Sequence, residues 1–283
     1  MHALRSEAGM CPPKNRIEAG DLNLAQGFDR KLKESVILIL HGMDVLYRKY
    51  AWYYDLIYAW KDYKKEAETL VKLIAWYKRS PGNTLLDVAC GTGRHLLYLK
   101  KHFQCTGIDC SEEMIHIARR KVRGVAFRTS DMRRLETHKP YDVITCLFGS
   151  IGYVKTLAAL KKTLTGFSAS LVKGGVAVVE PWFTPSDFED GKPSMSVYED
   201  KELKIARLNV SCRKGKLGKV SVLDMHYLIA ERGKKVKHLT DHHELGLFTR
   251  EELLLSMREA GFRVHYRAKG LMKGRGLVVG VKK

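Results

Sequence analysis

Two glycines and three acids carry the chemistry that can be read most directly from this chain. Gly91 and Gly93 close the stretch Asp87-Val88-Ala89-Cys90-Gly91-Thr92-Gly93, Asp109 ends the next apolar run, and Asp131 follows the one after that. Glycines two apart let the backbone turn sharply and come close to a ligand. The unpaired N–H groups of a helix starting there favour a negatively charged group. Asp109 lies sixteen residues past Gly93, where a carboxylate at the tip of a second strand accepts bonds from ribose hydroxyls. Two better-known loops are excluded. Leu96 stands where a dinucleotide fingerprint wants a third Gly or Ala, and no P-loop Lys-Ser/Thr pair follows.

The elements that must hold these groups alternate in type. Leu85–Ala89 is an apolar run that suits a strand buried on both faces, and a helical pattern covers His95 to Lys101. Cys105–Asp109, Val125–Phe127, Tyr141–Leu147 and Val176–Glu180 read as further strands, the last entered through Gly174-Gly175. Ser111 can cap a helix from Glu112 to Arg123, and another helix covers Leu157 to Leu171. From about Pro185 to Gly246 the alternation stops. Ala206–Val210 and Val220–Tyr227 alternate like antiparallel strands around a turn at Lys214–Gly218. Thr249 and Glu252 form a capping box for a helix Arg250–Ala260 that Gly261 ends, and Val264–Tyr266 with Gly276–Val281 makes a closing strand pair. The expected fold class is α/β, a Rossmann-like doubly wound sheet, mostly parallel, with an antiparallel last pair. A small antiparallel insertion at about 185–246 and an N-terminal helical lid at 44–80 complete it.

The lid stretch, Asp44–Tyr77, is helical and dense in aromatics, which are expected to pack on the sheet. Leu70, Leu73, Ile74 and Tyr77 recur at helical spacing before Pro81. Residues 1–42 have no sustained period, and Met43 is a natural start. They read as a disordered extension or an upstream translated segment, with a helix from Lys31 to Leu40 as an option, and the domain proper as 43–283.

The 283 residues suffice for one large domain with an insertion. The run Val36–Leu40 is too short to span a bilayer, and Arg5, Glu7 and Lys14 interrupt any signal-peptide core. Six cysteines show neither zinc nor small-scaffold spacing, and Cys90, Cys105 and Cys146 read as small buried hydrophobes in a reducing cytoplasm. The net charge of +19 admits two readings, a nucleic-acid partner or a solvated surface. The basic residues are spread along the chain, and only Lys61-Lys64-Lys65 has aromatics among it, which favours the surface. Four Asn and two Gln against abundant Lys, Arg and Glu is a bias of proteins from hot environments.

The form Asp-x-x-Cys-Gly-Thr-Gly with a later acid resembles the S-adenosylmethionine (SAM) loop of class I methyltransferases. That family usually has Gly where this chain has Ala89, a departure that crowds the loop. Tyr54-Asp55-Leu56-Ile57-Tyr58 resembles a segment these enzymes carry on helices that cover the active site, where aromatic faces suit a sulfonium cation. The closest resemblance is to the amino-sugar N-methyltransferases of macrolide biosynthesis. It rests on Asp87–Gly93, Asp131-Met132-Arg133, Ser150–Lys155, Val179-Glu180-Pro181-Trp182 and Gly274–Gly280, with His238–Asp241, His243 and Leu247-Phe248 also similar.

The resemblance implies that Asp87, Ala89, Gly91, Gly93, Asp109, Met114, Asp131, Met132 and Phe148 bind SAM. Met114 then points toward the adenine, Asp131 bonds its amino group, and the Met132 N–H bonds a ring nitrogen. The loop Phe148–Tyr153 faces the methyl group. It lacks the Asn/Asp-Pro-Pro-aromatic sequence of methylases acting on base amines. Transfer is a direct displacement by a small polar acceptor carrying an amine, oriented by Tyr58 and Tyr153 and held by Trp182 and Arg275. Glycines on both sides of Arg275 are expected to expose its guanidinium to a phosphate or carboxylate. Glu180 reads as a structural acid. Neither a metal nor a membrane is implied. His242 and His243 are adjacent on a strand and point to opposite faces, so His243 is read as facing substrate or packing. An RNA methyltransferase using the basic surface, and a SAM-binding protein without turnover, are the alternatives. Whether the chain forms a homodimer is open from the sequence.

Overall fold

The computed structural model describes residues 50–215 and 218–283. The expectations for residues 1–42, for the helix Lys31–Leu40 and for a start at Met43 lie outside these residues, as do Lys216 and Leu217 of the expected turn. Two helices open the described chain, α1 (Ala51–Ile57) and α2 (Tyr63–Tyr77). Then β1 (Thr84–Val88), α3 (Leu96–Leu99), β2 (Gln104–Asp109), α4 (Glu112–Lys121), β3 (Ala126–Thr129), β4 (Tyr141–Cys146), α5 (Leu157–Ala169) and β5 (Leu171–Val179) alternate as expected. The strands β6 (Lys192–Glu199), β7 (Leu203–Lys214), β8 (Val220–Glu231) and β9 (Lys237–Gly246) follow, and α6 (Arg250–Glu259), β10 (Phe262–Arg267) and β11 (Leu277–Lys282) close the chain.

The main sheet has the order β10-β11-β5-β4-β1-β2-β3. Strands β1 to β5 run parallel, and β11 and β10 are antiparallel to their neighbours. Successive residues of a strand point to opposite faces. Leu85 accordingly joins Leu70, Ile74, Leu96 and Ile115 in one layer, while Leu86 and Val88 join Leu160, Leu164, Phe167 and Met257 in the other. Each fully buried side chain of this kind contributes about 1.5–3 kcal/mol, which is why a central strand is apolar throughout. The caps are local. Ser111 Oγ accepts the Met114 N–H, and Thr249 with Glu252 completes the capping box on α6.

Three boundaries differ from the sequence pattern. The helical pattern at His95–Lys101 yields a helix of Leu96–Leu99 only. Helix α5 stops at Ala169, because Leu171 already pairs with Tyr141 as a strand. The antiparallel insertion is present as expected, and its strands extend beyond Ala206–Val210 and Val220–Tyr227 into a four-stranded sheet, β6-β7-β8-β9, with strands of eight to twelve residues.

Tyr77 of α2 packs with Leu70, Leu73 and Ile74 in the main sheet's core, as expected, but α1 finds a different partner. Tyr53 and Ile57 of α1 pack with Leu203, Ile205, Tyr227, Ile229 and Leu239 of the second sheet, not with the main one, and the Tyr53 hydroxyl donates to Glu231 Oε1 at 2.7 Å. Trp52, Trp60 and Trp76 stay exposed. Helix α1 and the insertion thus share a small core of their own. Ile229 is 1% exposed in it. Ile229→Ala should cost about 2–5 kcal/mol of this core. Hydrogen exchange should speed up in α1 and β6–β9 and stay unchanged in β1–β5. Uniform acceleration across both sheets would show that the small core does not exist as a unit.

Candidate active site

At the carboxyl end of β1 the chain turns through Ala89, at φ 57°, and Gly91, at φ 54°. A Cβ at Gly91 would meet nothing within 4 Å, so the turn opens onto free space. Ala89 adopts the left-handed region against a cost of about 1–2 kcal/mol, the physical content of its departure from glycine. Asp109 Oδ2 accepts the Gly91 N–H and Oδ1 accepts the Ser111 N–H, both at 2.9 Å. The acid expected to meet a ribose therefore also pins the glycine turn to the start of α4. Burial raises its pKa despite those bonds. Asp87 Oδ1 accepts the Thr145 hydroxyl at 2.7 Å, and burial pushes its carboxyl up to about 6. Asp87, Ala89, Gly91 and Thr92 line one cavity with Tyr54, Tyr63 and Phe148.

Asp131 caps the single turn Met132–Arg134 and is clamped by Arg133, which donates its backbone N–H and its guanidinium to the carboxylate. The guanidinium holds the Asp131 carboxyl below the usual carboxylate range. Met114 is buried behind α4's first turn. Asp55, the acid of the Tyr-Asp-x-x-Tyr segment, accepts the Thr92 hydroxyl at 2.6 Å and pairs with Lys121. It latches α1 onto the glycine loop, a role the sequence did not disclose.

A second cavity of about 430 Å³ lies between α1, the turn after β4, the β10–β11 loop and the inner face of the second sheet. It gathers Tyr58, Tyr153, Phe148, Trp182 and Arg275, every residue expected there. Tyr54, Phe148 and Ser150 line both cavities and mark where they meet. Aromatic faces at that junction suit a cation, and a β2 carboxylate beside an open glycine turn suits a ribose, so the residues present fit SAM.

One expectation is corrected. Arg275 is not exposed by its flanking glycines. Gly274 (φ 81°) and Gly276 (φ 69°) are both left-handed, and the guanidinium between them is turned inward. It stacks on Trp182 at 4.3 Å, with Phe183 and Phe148 at 4.9 and 5.5 Å. Its Nε and one terminal nitrogen are buried without a hydrogen-bond partner. Burial lowers its pKa, and Glu180 works against that shift. Gly149, at φ 76°, lets this wall close up, since a Cβ there would lie 2.7 Å from the Trp182 ring.

The sequence missed Arg207, one basic residue among many in an alternating strand. It stacks on Tyr58 at 5.2 Å and donates to the Tyr58 hydroxyl at 2.8 Å. His243 faces this cavity, where its Nδ1 lies 3.1 Å from the Tyr153 hydroxyl, while His242 turns away to Asp224. Glu180 is fully buried and accepts the Phe148 N–H at 2.7 Å and the Met272 N–H at 2.8 Å. Replacing it by Gln leaves one of those N–H groups facing an amide N–H₂. Glu180→Gln should therefore lower the unfolding free energy by about 1–3 kcal/mol in denaturant titration. Amide protection should fall at whichever of Phe148 and Met272 then faces the amide N–H₂; unchanged protection at both would contradict the bridge.

The comparisons bear on the family and the fold. Residues 85–175 match the family model described as a methyltransferase domain. The chain is 38% identical over 232 residues to the dTDP-3-amino-3,4,6-trideoxy-alpha-D-glucopyranose N,N-dimethyltransferase of Streptomyces venezuelae, covering 81% of this chain and 95% of that protein. The crystal structure of Streptomyces venezuelae DesVI superposes with a TM-score of 0.77 at 36% identity, over 82% of this chain and 98% of that one. An SAM-bound amino pentose methyltransferase from Micromonospora echinaspora superposes with a TM-score of 0.71 at 30% identity, over 79% and 92% of the two chains. With its glycine turn, its acids at successive strand ends and its aromatic junction, the chain belongs to the SAM-dependent sugar N-methyltransferases.

Proposed function

We propose that the protein methylates the amine nitrogen of a nucleotide-linked amino sugar. The observation that carries this reading is Arg275, whose guanidinium is buried in an aromatic box at the acceptor cavity with two nitrogens unpaired. A buried donor left without an acceptor is costly, so such a group calls for an anionic partner. A planar fork suits the oxygens of a phosphate. Arg207 adds a second cation on the same cavity. The relative from Streptomyces venezuelae is named for a dTDP-amino sugar, whose diphosphate would supply that partner.

SAM supplies the activated methyl group when bound. The protein's part is to position. Gly91 and Gly93 turn the chain, Asp109 takes the ribose, and Asp131, Met132 and Met114 border the adenine. Asp87, Ala89 and Phe148 frame the end that carries the methyl group. Tyr58, held by Arg207, and Tyr153 orient the acceptor nitrogen, and Trp182 with Arg275 grips its anionic end.

Two measurements test this. With dTDP-3-amino-3,4,6-trideoxy-alpha-D-glucopyranose as the probe, Arg275→Lys should raise KM about 10- to 150-fold, the loss of one charge-assisted bidentate contact. Tyr58→Phe should lower kcat more than it raises KM. Wild-type kinetics from both variants would sink the acceptor site as drawn. The second concerns pH. Burial keeps Asp87 protonated up to about pH 6. A bound cation favours the ionised form, so SAM affinity is full above that pH and is lost as pH falls through it, by up to about tenfold per unit. Asp109, raised in the same direction, adds to the slope. Calorimetry on Asp87→Asn should show a flatter profile than wild type, and an unchanged slope would remove Asp87 from the cofactor's surroundings.

A further inference from the structure

We infer that the groove between α2 and the β10–β11 loop binds single-stranded nucleic acid, as a site separate from the acceptor cavity. The groove is the larger of the two, about 820 Å³ against about 430 Å³. They share Trp60 and Met272, and no residue assigned above to SAM lines the groove. One wall is a single face of α2. Asp62, Lys65, Thr69, Lys72 and Trp76 recur every three or four residues, the spacing that lines side chains up along one side of a helix. At about 1.5 Å per residue that row runs about 21 Å. The other wall is the β10–β11 loop, from Arg267 to Lys273.

Two independent observations mark this groove. Trp60 and Trp76 stand at opposite ends of it and are 61% and 74% exposed. An indole left in water on a folded surface presents a flat, largely apolar face to whatever docks there. The second observation is charge. Lys65, Lys72, Arg267, Lys269 and Lys273 are exposed on the two walls, and none of them is paired with an acid among the described residues. Elsewhere on the surface lysines do find acids, as Lys192 finds Glu189 and Lys219 finds Glu252. The acids of the groove already have partners. Glu66 is buried between Lys61 and His95, and Asp62 accepts the Lys65 N–H as the cap of α2.

The chemistry selects the occupant. Unpaired cations spread along both walls attract a chain of anions rather than a single one. Exposed indoles take planar groups by stacking, whatever the base. Single-stranded nucleic acid offers both, a phosphate and an open base at every step. The length of the row suits the short end of single-strand sites, about four nucleotides. A duplex keeps its base faces inside its own stack and would meet the charges alone. An acidic peptide would likewise satisfy the lysines and leave the indoles in water. A second copy of a chain of net charge +19 is repelled, and residues 1–49, with eight basic and six acidic side chains, do not complement a positive groove.

The test titrates a fluorescent oligothymidylate of about ten nucleotides with the full chain at low salt. Anisotropy should give a Kd of about 1–100 μM, the range of sequence-independent contacts. For single strands log Kobs falls with log salt by about 0.7 per phosphate neutralised, so three to five cations give a slope of about −2 to −3.5. Lys65→Gln combined with Lys72→Gln should flatten that slope by about 1.4. Lys234→Gln combined with Lys235→Gln, on the turn between β8 and β9, should leave it unchanged; equal flattening by this pair means that net charge is read rather than the groove, and overturns the proposal. Trp60→Ala and Trp76→Ala should each weaken binding about 5- to 150-fold, the loss of one stacked base. Both indoles are exposed, so the melting temperatures of these variants are expected at the wild-type value. Charge-matched polyglutamate and the duplex of the same oligomer should compete far more weakly than the unlabelled single strand. Equal competition by either, wild-type affinity in both tryptophan variants, or no binding of the oligomer at low salt would each overturn the proposal. None of these outcomes depends on methyl transfer to an amino sugar, so the groove is judged apart from the function proposed above.

Discussion

A single buried carboxylate holds the acceptor side of this protein together. Glu180, at the end of β5 and fully buried, accepts one N–H from the turn after β4 and one from the β10–β11 loop. Neither segment has a strand partner at that point, and both contain left-handed residues, Phe148 and Gly149 in one, Gly274 and Gly276 in the other. Left-handed backbone at a non-glycine costs energy and persists where the surroundings over-determine it. Glu180 supplies that determination for Phe148, and its charge offsets the burial of the Arg275 guanidinium. The aromatic box of Phe148, Trp182 and Phe183 around Arg275 is a consequence of two loops being tied to one acid.

The other wall depends on packing rather than charge. Helix α1 is too short to be stable by itself, and helices of that length form only against a partner surface. Its partner is the second sheet, through Tyr53 and Ile57. From that footing it reaches both ligand ends at once. Asp55 ties it to Thr92 and Lys121 at the glycine loop, and Tyr58 is tied to Arg207 on β7. A displacement of α1 would open both cavities together, since its Tyr54 lines both.

The charge of +19 is distributed to match. Many basic side chains sit at the surface in pairs such as Lys204–Glu199 and Arg232–Glu202. Exposed pairs of this kind contribute about 0–1 kcal/mol each. Other cations are enclosed instead. Arg207 and Arg275 lie on aromatic faces at the acceptor cavity, where a low dielectric strengthens their attraction for an anion.

What the amino-acid sequence determined by itself is the set of features decided within a few residues. The Gly91–Gly93 turn, the Ser111 cap, the Thr249–Glu252 capping box and the apolar strands follow from local backbone chemistry and from the period of buried side chains. So does the list of residues at the ends of those strands, since a parallel α/β sheet places its ligands there. Tertiary structure alone decided which surfaces meet. The aromatic helix was legible as amphipathic, but its period does not say which of two sheets receives it. Gly274 and Gly276 announced a sharp turn at Arg275, yet whether that turn threw the side chain outward or inward depended on Trp182 and Glu180, more than ninety residues away. Arg207 with Tyr58, and Tyr153 with His243, are contacts across 149 and 90 residues. No local pattern encodes them, because a hydrogen bond between distant segments is fixed by the packing of the elements that carry its two ends.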